Sequence, residues 1–422
     1  MRRIVKLIAV SALIFAMAAS AAIAAPRTTL SLWHYLGSDT SSMFKSLVDE
    51  WNAKNPAVFV ELTYGGNNRT MQDKLLASIV AKAQPDMALM DQFWVPELAN
   101  SGALLNLDGL LSETEEADFL APARQAASYA GSLWTMPLGM SNQALYYNKD
   151  LFRAAGLNPN VPPSTWEEMF EAGLKLSKDT NKDGKVDQFG LYMPVTVNTG
   201  MVYYFVTFLW QAGAELYNKD YSAATFNSAA AVKAVQYLQK LVAYQVLPLA
   251  NIADAFLNGR AAMALASTSS LGYYKSAAKF DLGVAHMPSG AKKVTGVGGN
   301  SLGIFKSDRD REAAAFSFVK WMTSAEVSTK WAIATGYTPT RKSALESKEY
   351  KELVAADPMV ATIISQLDYA RPRPNVLSYS RVSNIISAAG ERVLFEYTKD
   401  PVATLDKAVA DANAVIRELA KK

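Results

Sequence analysis

Near its beginning the chain alternates strand and helix patterns, and this order restricts the fold more than any other feature. TTLSLWHYLG (28–37), VFVELTYGG (58–66) and DMALMD (86–91) have the apolar and β-branched character of strands. Between them, SDTSSMFKSLVDEWNAKN (38–55) and TMQDKLLASIVAKAQ (70–84) carry apolar residues at helical spacing. A strand–helix–strand–helix–strand order predicts a parallel sheet with helices on its faces, and therefore an α/β fold.

The rest of the chain carries more helix than strand and shows no boundary between sequential domains. STWEEMFEAGLKLSKD predicts an amphipathic helix, capped by Ser164 or Thr165, with Glu167 and Glu168 near the positive end of the helix dipole. A further strand is predicted at DLGVAHMP. No repeat and no linker rich in proline and serine divides the chain. This organisation favours two interleaved lobes, between which the chain passes through strands.

The first residues are basic, then apolar, then small: MRRIVKLIAVSALIFAMAASAAIAAP. This order is typical of a secretory signal peptide, and Ala22-Ile23-Ala24 matches the cleavage motif, so residues 1–24 are predicted to be removed. The alternative is a membrane anchor, which the alanine-rich stretch and the small residues before Pro26 disfavour. Because no cysteine is present for lipid attachment, a soluble periplasmic protein is expected.

Composition excludes several classes of function. Of 42 Lys+Arg, the signal carries Arg2, Arg3 and Lys6, which leaves 39 against 39 Asp+Glu in the mature chain. A balanced charge gives no basis for predicting nucleic acid or an anionic membrane surface as a partner. With no cysteine and two histidines, a thiolate site and a histidine-rich metal centre are excluded.

One metal-binding pattern remains, in DTNKDGKVD. Asp179, Asn181, Asp183 and Asp187 stand at positions 1, 3, 5 and 9 of a calcium loop, with Gly184 at the turn position. The bidentate glutamate expected at position 12 is missing, since a glycine stands there. A weak structural calcium site is one interpretation, and an Asx-rich turn that caps its own backbone is the other. No other cofactor is expected.

Signatures of catalysis are weak. The dinucleotide and phosphate-loop motifs are absent, and His34 at a strand end would need a serine and a carboxylate around it to form a triad. The glycine run VGGNS before an apolar strand indicates either a flexible turn or a backbone that comes close to a neighbour. Aromatic residues beside polar ones can stack on the apolar faces of sugar rings, although core packing is the alternative for any single tryptophan.

Ten stretches, in order, resemble extracellular solute-binding proteins of bacterial ABC importers, the group with maltose-, trehalose- and glycerol-3-phosphate-binding proteins. They are WNAKNP, PDMALMD, LANSGALLNLDGLL, MPLGMSNQALYYNKDLFRAAGL, PSTWEEM, DTNKDGKVDQFGL, FLNGRAAMALAS, VGGNSLGIFK, ATGYTPTRKSAL and the RPRP stretch. The resemblance covers the whole mature chain. It implies a two-lobed periplasmic-binding-protein fold, with interleaved lobes joined by strand crossovers and a ligand cleft between them. The implied lobes are 27–137 with 282–335, and 138–281 with 336–422.

The resemblance also implies ligand-binding positions. Local matching to the glycerol-3-phosphate-binding branch gives Asn68, Gln92, Ser141, Ser267, Gly299, Tyr337 and Arg381. Asn68 stands where that branch has an aromatic hydroxyl, and Gln92 where it has a carboxylate, so the ligand stays open. Further candidates for the cleft are His34, Asp39, Asp91 and Trp210, of which the tryptophan resembles an aromatic that sugar-binding branches use.

The function implied is that of a periplasmic component of an importer, which captures a sugar or small oligosaccharide, closes at a hinge and delivers it to a membrane permease. A monomer without enzymatic activity is expected. The alternative ligand is glycerol-3-phosphate or another anionic ester, to which Arg381 would donate charge-assisted hydrogen bonds; otherwise Asp91 or Asp39 would be its partner. A secreted glycan hydrolase, the rival class, needs two carboxylates at a fixed separation, and the matched positions carry Asn, Gln and Ser instead.

Overall fold

The computed structural model describes residues 27–197 and 200–421, without the side chains of Ser38 and Asp39. The predicted signal peptide lies outside these residues. The strands are β1 (Thr28–His34), β2 (Val58–Tyr64), β3 (Met87–Asp91), β4 (Ser128–Tyr129), β5 (Ser132–Leu133), β6 (Thr135–Ser141), β7 (Gln143–Asn148), β8 (Phe189–Tyr192), β9 (Ala261–Ser267), β10 (Leu282–His286), β11 (Thr295–Ile304) and β12 (Ala370–Pro372).

Helices occupy more of the described chain than strands do. They are α1 (Ser38–Lys54), α2 (Asn68–Val80), α3 (Val95–Asn100), α4 (Glu113–Ala117), α5 (Ala121–Ala127), α6 (Lys149–Ala154), α7 (Trp166–Leu176), α8 (Met201–Gln211), α9 (Ala229–Ala243), α10 (Leu271–Ala277), α11 (Arg309–Met322), α12 (Ala325–Thr335), α13 (Lys342–Leu345), α14 (Lys348–Ala356), α15 (Pro358–Ile364), α16 (Tyr379–Phe395) and α17 (Val402–Leu419). Within the described ranges, none of them combines the length and apolarity needed to cross a bilayer.

Lobe one is built on a sheet of order β12-β11-β3-β1-β2, with β6 also paired to β11. The predicted parallel arrangement is confirmed, because β1 runs parallel to both β2 and β3. Helices α1, α11 and α12 bury their apolar faces against this sheet through Phe44, Trp51, Phe318 and Trp331. Amphipathic helices on a parallel sheet give the expected α/β architecture.

Lobe two contains a four-stranded sheet of order β10-β7-β9-β8 and a larger helical layer. Its core includes Phe205, Trp210 and Tyr379 from α8 and α16. The predicted helix start at α7 is confirmed by a capping box, in which the Thr165 hydroxyl accepts from the Glu168 amide and the Glu168 carboxylate accepts in return. Such caps satisfy amide groups that the first helical turn leaves unbonded.

Three passages of the chain join the lobes. The first runs from β6 of the first sheet to β7 of the second sheet, and the second runs from β10 back to β11. The backbone amide of Gln143, at the start of β7, donates to the Thr295 hydroxyl over 3.0 Å. The Thr295 hydroxyl donates in turn to the Gln143 carbonyl over 3.0 Å, so β7 is tied to the start of β11. The third passage is β12, which pairs with β11. The predicted interleaved lobes and strand crossovers are therefore confirmed.

The predicted lobe boundaries at 282 and 336 are both too early in the chain. Residues 282–286 form β10, which pairs antiparallel with β7 in the second sheet, so the chain returns to lobe one only at β11. After α12, the buried side chain of Arg341 donates to the Thr323 carbonyl over 2.5 Å, which keeps this segment on lobe one. Local pattern identifies a strand but does not show which sheet it joins.

Candidate ligand-binding cleft between the lobes

The glycine run lies on β11, where the two lobes meet. Gly299 has φ +145°, and a Cβ there would fall far inside van der Waals contact with the Gly139 carbonyl of β6. A Cβ on Gly139 would in turn lie 2.9 Å from a ring carbon of Tyr337. The run is therefore a region of close approach between strands and an aromatic side chain, not a flexible turn.

Asp91, at the end of β3, accepts hydrogen bonds from two distant parts of the chain. Its carboxylate accepts from a terminal nitrogen of Arg373 over 2.6 Å and from the amide nitrogen of Asn68 over 3.1 Å. Arg373 follows β12, in the third passage between the lobes, and Asn68 opens α2. The carboxyl end of a parallel strand is where open α/β sheets place ligand-binding residues.

Arg373 is the buried arginine of this cluster. Its side chain is 7% exposed, and its guanidinium lies 4.6 Å from the ring centre of Phe93 and 5.7 Å from that of Tyr203. Burial by itself lowers the pKa of Arg373, but the nearby Asp91 carboxylate raises it, and the net direction is upward. The guanidinium and the carboxylate therefore form a buried salt bridge, with 2.6 Å between nitrogen and oxygen.

Four tyrosines surround the ion pair: Tyr35, Tyr203, Tyr337 and Tyr379. Burial raises the pKa of each, to about 12 for Tyr337 and to about 12 for Tyr379. The negative charge of Asp91 acts in the same direction on all four. These hydroxyls are therefore protonated at neutral pH, and they offer uncharged hydrogen-bonding groups on flat aromatic rings. We refer to these four tyrosines with Asp91, Arg373 and Asn300 as the Asp91 cluster.

Several polar atoms of the Asp91 cluster are buried without a hydrogen-bond partner in the described part of the chain. They are the Nε of Arg373, the hydroxyl of Tyr379 and the Oδ1 of Asn300. Asn300 lies opposite Asp91 on paired strands, and its amide nitrogen is 3.4 Å from the Tyr337 hydroxyl. Buried polar groups are normally bonded, because an unmet one costs about 1–3 kcal/mol. The unbonded donor of Arg373, the unbonded acceptor of Asn300 and the unbonded hydroxyl of Tyr379 are suited to hydrogen bonds with the hydroxyl groups of a ligand.

Two cavities flank the Asp91 cluster, and both are lined from both lobes. The first, of about 660 Å³, includes Trp210 and Tyr221 of lobe two, Gln125 of lobe one and Arg373 of the third passage. The second, of about 620 Å³, has a lining rich in hydroxyl and aromatic groups: Tyr35 and Thr40 of lobe one, and Ser269, Ser270, Tyr273 and Tyr337. Both volumes lie within the usual range of small-molecule sites.

Some sequence-predicted residues meet at the Asp91 cluster. Asp91, Asn68 and Tyr337 take part directly, while Gln92 donates from its amide to the Gly298 carbonyl over 3.0 Å and so ties β3 to the glycine run. Ser141 is buried at the end of β6 beside Gly298. Their role toward a ligand stays a prediction.

Others lie beside the cluster or away from it. Ser267 bonds the hydroxyl of Ser269, which lines the second cavity, over 2.8 Å, and Trp210 lies in the first cavity with the Arg371 guanidinium 4.7 Å above its ring. His34 packs in the core of lobe one against Phe44 and Tyr64, and burial lowers its pKa. The side chain of Asp39 lies outside the described residues.

Arg381 does not reach the Asp91 cluster. It lies on α16, 42% exposed, and donates to the Glu418 carboxylate of α17 over 2.8 and 3.1 Å. The expectation that Asp91 would be its alternative partner is wrong, because Arg373 occupies that place. The reason is topological: α16 packs on α17, whereas β12 runs beside β11 at the crossover.

The calcium-like loop uses its polar side chains on its own backbone. The Asp179 carboxylate accepts from the amides of Asp183 and Gly184 over 3.1 and 2.7 Å, and Asp187 accepts from the amide and hydroxyl of Thr180 over 3.0 and 2.6 Å. The oxygen of Asn181 also accepts from the Asp183 amide. Among the described residues, no group of three or more His, Asp or Glu side chains is placed to share a metal ion. This geometry is that of the Asx-rich turn.

Sequence reasoning did not select five residues of the cluster: Tyr35, Tyr203, Asn300, Arg373 and Tyr379. The RPRP stretch places Arg371 and Arg373 two positions apart, and residues two apart on an extended chain face the same side. Arg371 and Arg373 do line the same cavity, yet Arg371 is 39% exposed and pairs with Glu215. The spacing in the sequence places both arginines on one side of the strand, but only the tertiary structure shows which of them is buried.

The model of the bacterial extracellular solute-binding protein family matches residues 46–359. The chain belongs to this family. The prediction of a solute-binding component of an importer is thereby confirmed, and with it the resemblance. The family is described as extracellular.

Relatives of this solute-binding protein match it over nearly its full length. The sn-glycerol-3-phosphate-binding periplasmic protein of Escherichia coli K12 is 25% identical over 414 residues, which cover 93% of this chain and 94% of the relative. The relative of the same description from Shigella dysenteriae is also 25% identical, over the same shares.

Solved structures of solute-binding proteins are similar over the same extent. The cyclic α-maltosyl-1,6-maltose binding protein of Arthrobacter globiformis is 28% identical with a TM-score of 0.79, covering 93% of this chain and all of that one. A solute-binding protein of an ABC transporter from Thermotoga lettingae, bound with α-D-tagatose, is 27% identical with a TM-score of 0.82, covering 92% and 100%. The predicted two-lobed fold is confirmed by this likeness.

Proposed function

We propose that this chain captures a carbohydrate between its lobes and delivers it to the membrane permease of an ABC importer. The observation that carries the proposal is the Asp91 cluster, where polar groups from both lobes converge and three of them are buried without a partner among the described residues. Two solved structures above 25% identity are described with sugar ligands, which supports the same class. A polyol ester is the second candidate, because the curated relatives bind sn-glycerol-3-phosphate.

The charges of the Asp91 cluster suit the binding of a ligand better than the hydrolysis of a glycosidic bond. Hydrolysis of a glycosidic bond uses two carboxyl groups on either side of that bond. In the Asp91 cluster the carboxylate of Asp91 is bound to Arg373, and the other groups are amides and tyrosine hydroxyls. We therefore expect no product when the protein is incubated with oligosaccharides.

Ligand contact with both lobes is expected to favour the closed form. Polar contacts already cross between the lobes at the rim of the cleft: Gln72 of α2 donates to the Ser380 hydroxyl over 2.8 Å, and Arg69 donates to Asn384 over 3.0 Å. A ligand that bridges the lobes shifts the population toward the conformation that makes such contacts. The passages through β6, β11 and β12 would form the hinge.

The test is a thermal-shift screen of the purified protein against sugars, polyols and their phosphate esters, followed by titration calorimetry. A rise in melting temperature with at least one sugar, with no product by chromatography, is expected. Small-angle scattering should then show a smaller radius of gyration with that sugar. Release of free sugar from an oligosaccharide would contradict the proposal.

Export and assembly belong to the same proposal. We expect the mature chain to begin close to Ala25, after removal of residues 1–24, and to act in the periplasm as a monomer. Sequencing of the N-terminus of protein from a periplasmic extract would locate the cleavage point, and light scattering would give the mass. An uncleaved chain in the membrane fraction would contradict the signal-peptide part alone.

A further inference from the structure

The charges of the Asp91 cluster cancel within the protein. Arg373 is 7% exposed and Asp91 14% exposed, and their nitrogen and oxygen atoms are 2.6 Å apart. The aromatic residues around them are uncharged, because burial raises the pKa of Tyr337 and Tyr379 far above neutral pH. The buried arginine therefore already has a counter-ion before any ligand arrives.

The buried charges that line the two cavities beside the cluster are also paired within the protein. In the first, Arg371 pairs with Glu215 and Arg373 pairs with Asp91, which leaves the exposed Lys219 as the remaining charged side chain in the described lining. The described lining of the second cavity consists of aromatic, hydroxyl and small residues, such as Tyr35, Thr40 and Ser269. Neither cavity presents a buried cation in excess.

A phosphate or carboxylate placed here would lose its hydration without gaining a buried cation that lacks a partner. It would also lie close to the Asp91 carboxylate, and an uncompensated buried charge is strongly unfavourable. A neutral hydroxyl meets no such penalty. It can accept from the Nε of Arg373, whose hydrogen has no acceptor in the described structure, and it can bond the Tyr379 hydroxyl and the Asn300 oxygen.

We propose that the Asp91–Arg373 pair makes the cleft selective for neutral hydroxylated ligands and excludes the phosphate esters of the same sugars and polyols. The proposal rests on the proposed function, since it assumes that ligands bind at the Asp91 cluster. Asp91 acts as a specificity-determining residue: it occupies the arginine that would otherwise hold an anion. Removal of its charge should therefore create an anion site.

The experiment changes Asp91 to Asn, which keeps the shape and an acceptor oxygen but removes the negative charge. Wild type and Asp91→Asn are titrated with D-glucose, maltose and D-tagatose, with glucose 6-phosphate and sn-glycerol-3-phosphate, and with inorganic phosphate. We expect the variant to bind at least one phosphate compound about ten- to a hundredfold more tightly than wild type, as a charge-assisted hydrogen bond would give.

Two further variants separate a local effect from a general change in charge. Glu418→Gln removes one carboxylate from the exposed pair with Arg381, which lines neither cavity, so it changes the net charge equally, but it should not create phosphate binding. In Asp91→Asn with Arg373→Gln, the arginine is gone and the gained phosphate binding should disappear. Unfolding curves of every variant show whether it is folded at the assay temperature.

The outcomes distinguish this proposal from the proposed function. Wild-type binding of a phosphate ester, as tightly as any neutral sugar, would overturn the neutral selectivity but leave the capture of carbohydrate derivatives intact. Binding of neutral sugar by wild type without any gain of phosphate binding in folded Asp91→Asn would also overturn it. If Asp91→Asn does not fold, the wild-type comparison of glucose with glucose 6-phosphate decides. Binding of none of these compounds by wild type or variant would count against both proposals.

Discussion

The Asp91 cluster and the loop from Asp179 to Asp187 are both built from acidic and amide side chains, but they use them in opposite ways. In the loop, the carboxylates accept from amides within the same nine residues, including those of Gly184 and Thr180. In the cluster, Asp91 bonds Arg373 from 282 positions away, and buried polar atoms of Arg373 and Tyr379 remain unmet among the described residues. Polar side chains that satisfy their own backbone stabilise a turn, whereas buried ones left unmet indicate a ligand.

The largest expected effect comes from breaking the ion pair of the cluster. Arg373→Ala leaves the Asp91 carboxylate buried without its cation, and loss of one partner of a buried pair costs about 3–5 kcal/mol of unfolding free energy. Urea denaturation without ligand measures this cost.

Arg381→Ala is the matched control, because it removes an arginine that is 42% exposed and paired with Glu418 on the surface. We expect a change below about 1 kcal/mol. Equal costs for the two substitutions would show that burial does not separate the two arginines.

The second largest effect is expected from replacing a glycine beside the Asp91 cluster, compared with replacing a glycine in the loop. Gly299→Ala places a Cβ against the Gly139 carbonyl at φ +145°, so strain and overlap together should cost about 2–4 kcal/mol. Gly184→Ala in the loop meets no atom within 4 Å of its Cβ at φ +87° and should cost about 1 kcal/mol. Denaturation midpoints of the two variants, measured side by side, check the order.

A third ion pair, between Asp86 and Arg311 in lobe one, provides a comparison in which the effect depends on pH. Asp86 accepts from two nitrogens of Arg311 over 2.7 and 2.8 Å and from the amide and hydroxyl of Ser31. Burial by itself raises the pKa of Asp86, but these hydrogen bonds lower it below its ordinary value.

Because the folded pKa of Asp86 is lowered, its stabilisation is complete above the unfolded value of about 3.9 and is lost as the pH falls through the folded value. The melting temperature should therefore fall less between pH 6 and pH 3 in Asp86→Asn than in wild type. An identical fall in both proteins would contradict the assignment.

The smallest effect is expected at the loop. Since its carboxylates are already used by backbone amides, a chelator should leave the melting temperature unchanged, and so should added calcium. Differential scanning calorimetry with and without a chelator measures this. A clear fall on chelation, restored by calcium and absent in Asp179→Asn, would establish the calcium site that the spacing also allows.

Much of the architecture follows from the sequence by itself. Strand and helix periods between Thr28 and Asp91 predicted the parallel sheet, and the Thr165–Glu168 box predicted the start of α7, because both depend on residues a few positions apart. The resemblance of ten short stretches predicted the two-lobed fold and the solute-binding family, which the family match and the similar structures bear out.

Only the tertiary structure decided which charged residues meet. Asp91 and Arg373 are 282 positions apart, and nothing in RPRP or in SYSRVS shows that the arginine of the first is buried while Arg381 of the second faces Glu418. The same holds for β10, whose apolar pattern suits either sheet until its pairing with β7 excludes one. Local spacing is fixed by the geometry of a single element, whereas burial and pairing are set by the crossings of the chain between its two lobes.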